Sequence, residues 1–242
     1  MCSSNVCWDV QWPPSLSKDV QAVVKIIDTW RDENKLGALP LYALGASSGG
    51  YLVSVLAHAI PFHALAIVIA SGVSVAFTHP LESGAKYPPS LFVHMPKDKG
   101  TAMGVQKAVE ELRHLQVSAS ELSCREEPIT EHYFSDRIPR MSKKISEELH
   151  RAFIETGDVT SDGFLKQDGR RMSWYRHIAN WPALKNYTQL ILDSEMAIEE
   201  ELNLAYAYHE MTSLKSSAIF DWFDGVCTTF DRVEPQRCES YN

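Results

Sequence analysis

Two hydrophobic rhythms alternate along the first half of the chain, one helical and one made of short unbroken runs. Val20, Val23, Val24, Ile27 and Trp30 recur at a spacing that places them on one face of a helix. Ser17 precedes that run as an N-cap with Asp19 in the first turn, and the charges after Trp30 and Gly37 close it. Pro40 to Gly45 is apolar and strand-like, and a helix from about Ser48 to Ala59 follows it and stops at Pro61. The continuous apolar run Ala64 to Ser71 suits a parallel strand buried on both faces. Leu91 to Met95 predicts a further strand, and Val105, Ala108, Val109, Leu112 and Leu115 mark a helix over 101–115. Ala119 to Cys124 predicts the last strand.

This order of strands and helices predicts an α/β fold, a parallel sheet with crossover helices. Beyond residue 136 the pattern changes to helical segments near 140–156 and 195–224, flanking the polar stretch "GDVTSDGFLKQDGRR". The expected organisation is an irregular segment 1–16, an α/β core 17–150 and a mainly helical extension 151–242. No internal repeat or low-complexity segment interrupts it.

Composition narrows the function classes. The 242 residues carry a net charge of −8 with no basic cluster, which argues against nucleic acid or an anionic membrane as the main partner. The apolar run from Ala64 is too short to span a bilayer. Five scattered cysteines, with no CxxC pair and no signal-peptide pattern, fit a reducing, cytoplasmic setting.

The chemistry gathers at Gly45-Ala46-Ser47-Ser48-Gly49, a G-x-S-x-G pattern. Chance alone supplies such a pattern in about one chain in ten of this length, so its place between a strand and a helix carries the weight. There the serine occupies a strained turn, and Gly45 and Gly49 are needed where the backbone doubles back. The Ser48 N–H opens the helix and is positioned to stabilise an oxyanion. A serine needs a base held by a third group. Hydrolase order places the acid after the next strand but one, where Asp98 stands, and the histidine after the following strand, where His132 stands.

With these residues, and with "LPLYALGASSGG", "LFVHMPKDK" and "ELNLAYAYHEMTS", the chain resembles the α/β-hydrolase superfamily and, more narrowly, an uncharacterised group of plant α/β-hydrolase-like proteins. The resemblance implies a cofactor-free, metal-free serine hydrolase acting on a small carboxylic ester or thioester through Ser47, Asp98 and His132. It equally implies the alternative of a catalytically silent fold that binds a small ligand or a protein partner. The superfamily places several strands and an oxyanion loop ahead of the nucleophile, whereas 46 residues with one clear helix precede Ser47. The resemblance therefore implies that the chain starts inside a longer hydrolase-like protein. It also leaves the nucleophile strand as an exposed edge that invites self-association.

Other features read as structural. His94 lies on a strand and is expected to be packed. His209-Glu210 is not a zinc motif, because position 213 is serine. Asp162-Gly163 lacks the alternating ligands of a calcium loop and reads as a turn. Tyr206, Trp222 and Phe223 fall at helical spacing and read as core.

Overall fold

The computed structural model describes residues 8–81, 84–179 and 181–225. Its contacts divide the chain into two units, the first comprising residues 1–94, 99–124 and 213–242, the second 95–98 and 125–212. The domain boundary expected at 150 falls inside a helix of the second unit, while residues 213–225 belong to the first.

The first unit is α/β. Ser17 caps α1 (Lys18–Glu33) by accepting a hydrogen bond from the Val20 N–H at 3.1 Å. Val20 is buried and Val23, Val24 and Ile27 pack against the core, but Trp30 is 55% exposed. The packed stripe ends at Ile27, so the sequence reading placed Trp30 one turn too far inward. Four strands follow, β1 (Tyr42–Ala46), β2 (Ala64–Val68), β3 (Ser90–His94) and β4 (Ala119–Ser123), all parallel in the order β1-β2-β3-β4. Between them run α2 (Ser48–Leu56), α3 (Ser74–Thr78) and α4 (Lys99–His114).

Position in the sheet explains composition. Every residue of the central strands β2 and β3 is buried, which is why both are unbroken apolar runs or nearly so. Leu41, just before β1, and Ala43 on it lean on the core, while Tyr42 and Leu44 alternate to the exposed face. Phe77 meets Phe92 and Tyr87 edge to face at 5.8 and 5.5 Å, each such side chain contributing about 1.5–3 kcal/mol by burial. Tyr87 donates its hydroxyl to the Ser54 carbonyl at 2.7 Å, and burial raises its pKa well above the ordinary value. From the end of the chain, α10 (Ser216–Phe223) joins this unit, with Trp222 buried and Phe223 against Tyr42 at 5.0 Å.

The second unit is helical. α5 (Tyr133–Arg137), α6 (Lys143–Glu155), α7 (Trp174–Ala179), α8 (Thr188–Asp193) and α9 (Glu195–Tyr206) surround a core that includes Phe134, Leu149, Phe153, Ile198 and Leu202. On α6 the buried residues Ile145, Leu149, Ala152 and Phe153 form one stripe, as the helical period requires. Asp162-Gly163 closes a tight turn, with Gly163 at φ 85° and Val159 bridged to Leu165. The single helical stretch expected near 195–224 is two helices, because Ala207 caps α9 in the left-handed conformation at φ 56° and the chain leaves the helix axis there.

Candidate functional site

In the first unit, β1 hands over to α2 through Ser47, whose backbone sits at φ 51°, ψ −119°. A residue with a Cβ held there costs about 1–3 kcal/mol. Several contacts hold it. The Ser47 N–H donates to the Val68 carbonyl at 2.8 Å, and the Ser47 carbonyl accepts from the Gly50 N–H at 2.9 Å. A Cβ on Gly45 would lie 2.2 Å from the Gly49 carbonyl oxygen, so position 45 admits only glycine.

The second required glycine differs from the expected one. A Cβ on Gly49 would meet nothing within 4 Å, whereas one on Gly50 would lie 2.7 Å from the Ala70 Cβ and 3.0 Å from Ile67 Cγ2. Gly49 yields its backbone to Gly45 but has open space on its own side. Gly50 is the residue turned onto β2. Ser48 opens α2, so its N–H belongs to the first turn, whose donors have no carbonyl in a preceding turn to meet. One turn along, the Tyr51 hydroxyl lies 3.4 Å from Ser71 Oγ, just beyond the end of β2. Gly104 of α4 is itself held side-chain-free by Ser71, 2.7 Å from where its Cβ would be.

In the second unit, the segment Met95-Pro96-Lys97-Asp98 leaves the end of β3 and turns back on itself, with the Asp98 N–H donating to the Met95 carbonyl at 3.2 Å. The histidine that Asp98 holds is His209, whose Nδ1 lies 2.7 Å from Asp98 Oδ2. An ionised carboxylate only accepts, so Nδ1 donates its proton to it, and in the neutral ring Nε2 is then the basic nitrogen. The aspartate side chain is 17% exposed and the imidazole 34%, leaving the pair reachable from solvent.

His132, the expected base, is engaged elsewhere. It precedes α5, and its Nε2 lies 3.3 Å from Glu147 Oε1 on α6, with both side chains about two-fifths exposed. The nearest histidine after the last strand is thus turned onto a neighbouring helix. The sequence pattern does not single out His209, because the apolar spacing over 195–224 reads as one helix running through it. The signal available was its place in the strand-free order Ser47, Asp98, His209, once the helices 133–206 are treated as an insertion. His94 is buried, as expected, with Nε2 3.4 Å from Glu121 Oε2 on β4.

Short contacts fix the turn that carries His209. The Lys97 N–H donates to the Ala207 carbonyl at 3.3 Å, and the Glu210 N–H to Met95 Sδ at 3.4 Å. Glu210 accepts from Asn203 Nδ2 at 3.0 Å and from the Met211 N–H at 2.9 Å. Lys97 is paired with Glu126 and lies 3.9 Å over the Tyr206 ring. Among the described residues no group of three or more His, Cys, Asp or Glu side chains is arranged to hold a metal ion, and no helix is long and apolar enough to cross a membrane. Comparison of the chain with protein-family models, with curated proteins and with solved structures finds no match.

Proposed function

We propose that the chain is a serine hydrolase of the α/β-hydrolase type, acting on a small carboxylic ester or thioester. The observation that carries this reading is the backbone of Ser47, a non-glycine residue kept at φ 51°, ψ −119° on a strand-to-helix bend. Packing alone would place glycine there at no cost. The Asp98–His209 pair supplies the second support, a base already oriented by a carboxylate.

In the proposed reaction Ser47 Oγ attacks the carbonyl carbon and its proton passes to His209 Nε2. The Ser48 N–H meets the oxygen on which negative charge develops. Collapse breaks the C–O or C–S bond, the leaving group takes the proton from His209, and an acyl group remains on Ser47. Water, deprotonated by His209, then releases the acid and restores the serine. Asp98 keeps Nδ1–H in place throughout and stabilises the imidazolium. The chemistry requires Ser47 Oγ to come within hydrogen-bond reach of His209 Nε2 in the reacting protein.

A fluorophosphonate probe tests the reading. Adduct formation on the chain should vanish in S47A, and D98N should slow it by about 10³–10⁴-fold with the fold intact. Folded wild-type chain that takes up no probe would leave the bend as a binding or packing feature and remove the enzyme.

A further inference from the structure

The turn carrying His209 is clamped by a residue that neither the motif nor the hydrolase order singles out. Arg170 follows Asp168 and Gly169 in a short 3-10 turn, Gly169–Arg171. Its guanidinium grips the Asp168 carboxylate with two parallel bonds, Nε to Oδ1 and Nη2 to Oδ2, both 3.0 Å. Asp168 is itself 8% exposed and accepts the Arg170 N–H at 3.1 Å, so the fork is fixed at both ends. The remaining nitrogen, Nη1, donates to the His209 carbonyl at 3.0 Å, and the guanidinium carbon lies 5.5 Å from the Tyr208 ring centre.

We propose that Arg170 is a positioning residue, which through its hydrogen bond to the His209 carbonyl holds the imidazole in line with Asp98. The inference rests on the hydrolase reading, in which His209 is the base. A side chain hung on a turn takes its aim from the backbone beneath it, and a misplacement of about 1 Å can cost about 10²-fold in rate. Ala207 leaves α9 in the left-handed conformation, so His209 stands on the turn beyond the helix. The Arg170 bond holds the turn at His209, two residues beyond the point where the Lys97 N–H holds it at Ala207. A guanidinium can make all three bonds at once because its donors are planar and fixed. A lysine ammonium cannot reach both carboxylate oxygens and the carbonyl in that geometry. The turn is also built for this residue. A Cβ on Gly169 would lie 2.7 Å from Asn203 Oδ1, and Asn203 bonds Glu210, the next residue after His209.

The test compares wild type, R170Q and R170K in the full chain by two readouts. One is proton and nitrogen NMR of the His209 ring, which reports the Nδ1–H bond to Asp98 without requiring any turnover. The other is the rate of fluorophosphonate labelling. With the circular-dichroism spectrum unchanged, R170Q is expected to lose the downfield Nδ1–H resonance of His209 and to label at least tenfold more slowly. R170K is expected to recover only part of either signal, and it is the variant to read if R170Q unfolds. A folded R170Q or R170K with the wild-type His209 ring spectrum would overturn the role of Arg170, whatever the labelling shows. Loss of the ring signal in a chain whose wild type does not label would support the clamp while refuting the hydrolase reading.

Discussion

Ser47 stores backbone strain that a glycine would release, and this can be measured apart from its chemistry. S47G and S47A both lack the hydroxyl, but alanine keeps the Cβ at φ 51°. After allowing for glycine's extra chain entropy, S47G should be about 1 kcal/mol more stable than S47A in urea unfolding. Equal stabilities would mean that the bend is unstrained. The neighbouring glycines give a sharper contrast. G45A drives a Cβ to 2.2 Å from the Gly49 oxygen and should destabilise the chain by about 3 kcal/mol or more, while G49A meets no atom and should cost less than about 1 kcal/mol. At this scale the sequence pattern pointed to Ser47 and Gly45 because both requirements are local to five residues. It could not tell Gly49 from Gly50, since that choice is made by Ala70 and Ile67 on another strand.

Elements were legible where their periodicity was long or their burial complete. The unbroken runs of β2 and β3 and the stripes of α1 and α4 all announce themselves. The break between α9 and α10 did not, because Ala207 takes a left-handed cap with no glycine to signal it. The sequence order favours His132 because it stands in the loop after the last strand, and a single helix over 195–224 gives His209 no place in that order. β1 was expected at the sheet edge and lies there, paired among the described residues with β2 alone. The Leu41 carbonyl accepts from the His63 N–H and the Ser47 N–H donates to Val68. Odd-numbered residues therefore bond β2, and Tyr42, Leu44 and Ala46 turn their backbone groups to the side where no described strand pairs. Leu44 is 53% exposed beside that edge. L44K should leave unfolding free energy within about 0.5 kcal/mol, and any concentration-dependent association through this edge should fall in L44K by sedimentation velocity. Association that persists unchanged in L44K would place the sticky surface elsewhere.

For the whole molecule, two separate hydrophobic clusters explain why the fold class was readable and its division was not. The sheet cluster draws on residues 20–119 and the helical cluster on 129–205, but short segments cross over in sequence, 95–98 one way and 213–225 the other. Charge adds a pH dependence to the first cluster's sheet. The hydrogen bond from His94, together with the nearby His94 and Arg113 charges, outweighs partial burial and holds the Glu121 carboxyl below its ordinary value of 4.5. A lowered carboxyl value means stability that is fully present above about 4.5 and lost as pH falls through the folded value. E121Q should accordingly flatten the acid side of the stability profile, and an unchanged profile would show that the pair contributes nothing. The proposal that joins the pieces is that Ser47 gives its proton to the imidazole held by Asp98. Intact-mass timing of fluorophosphonate uptake by H209Q and H132Q tests it most directly. Uptake slowed at least 10³-fold in folded H209Q and unchanged in H132Q is the predicted result; fast uptake by H209Q, or loss in H132Q instead, would contradict it.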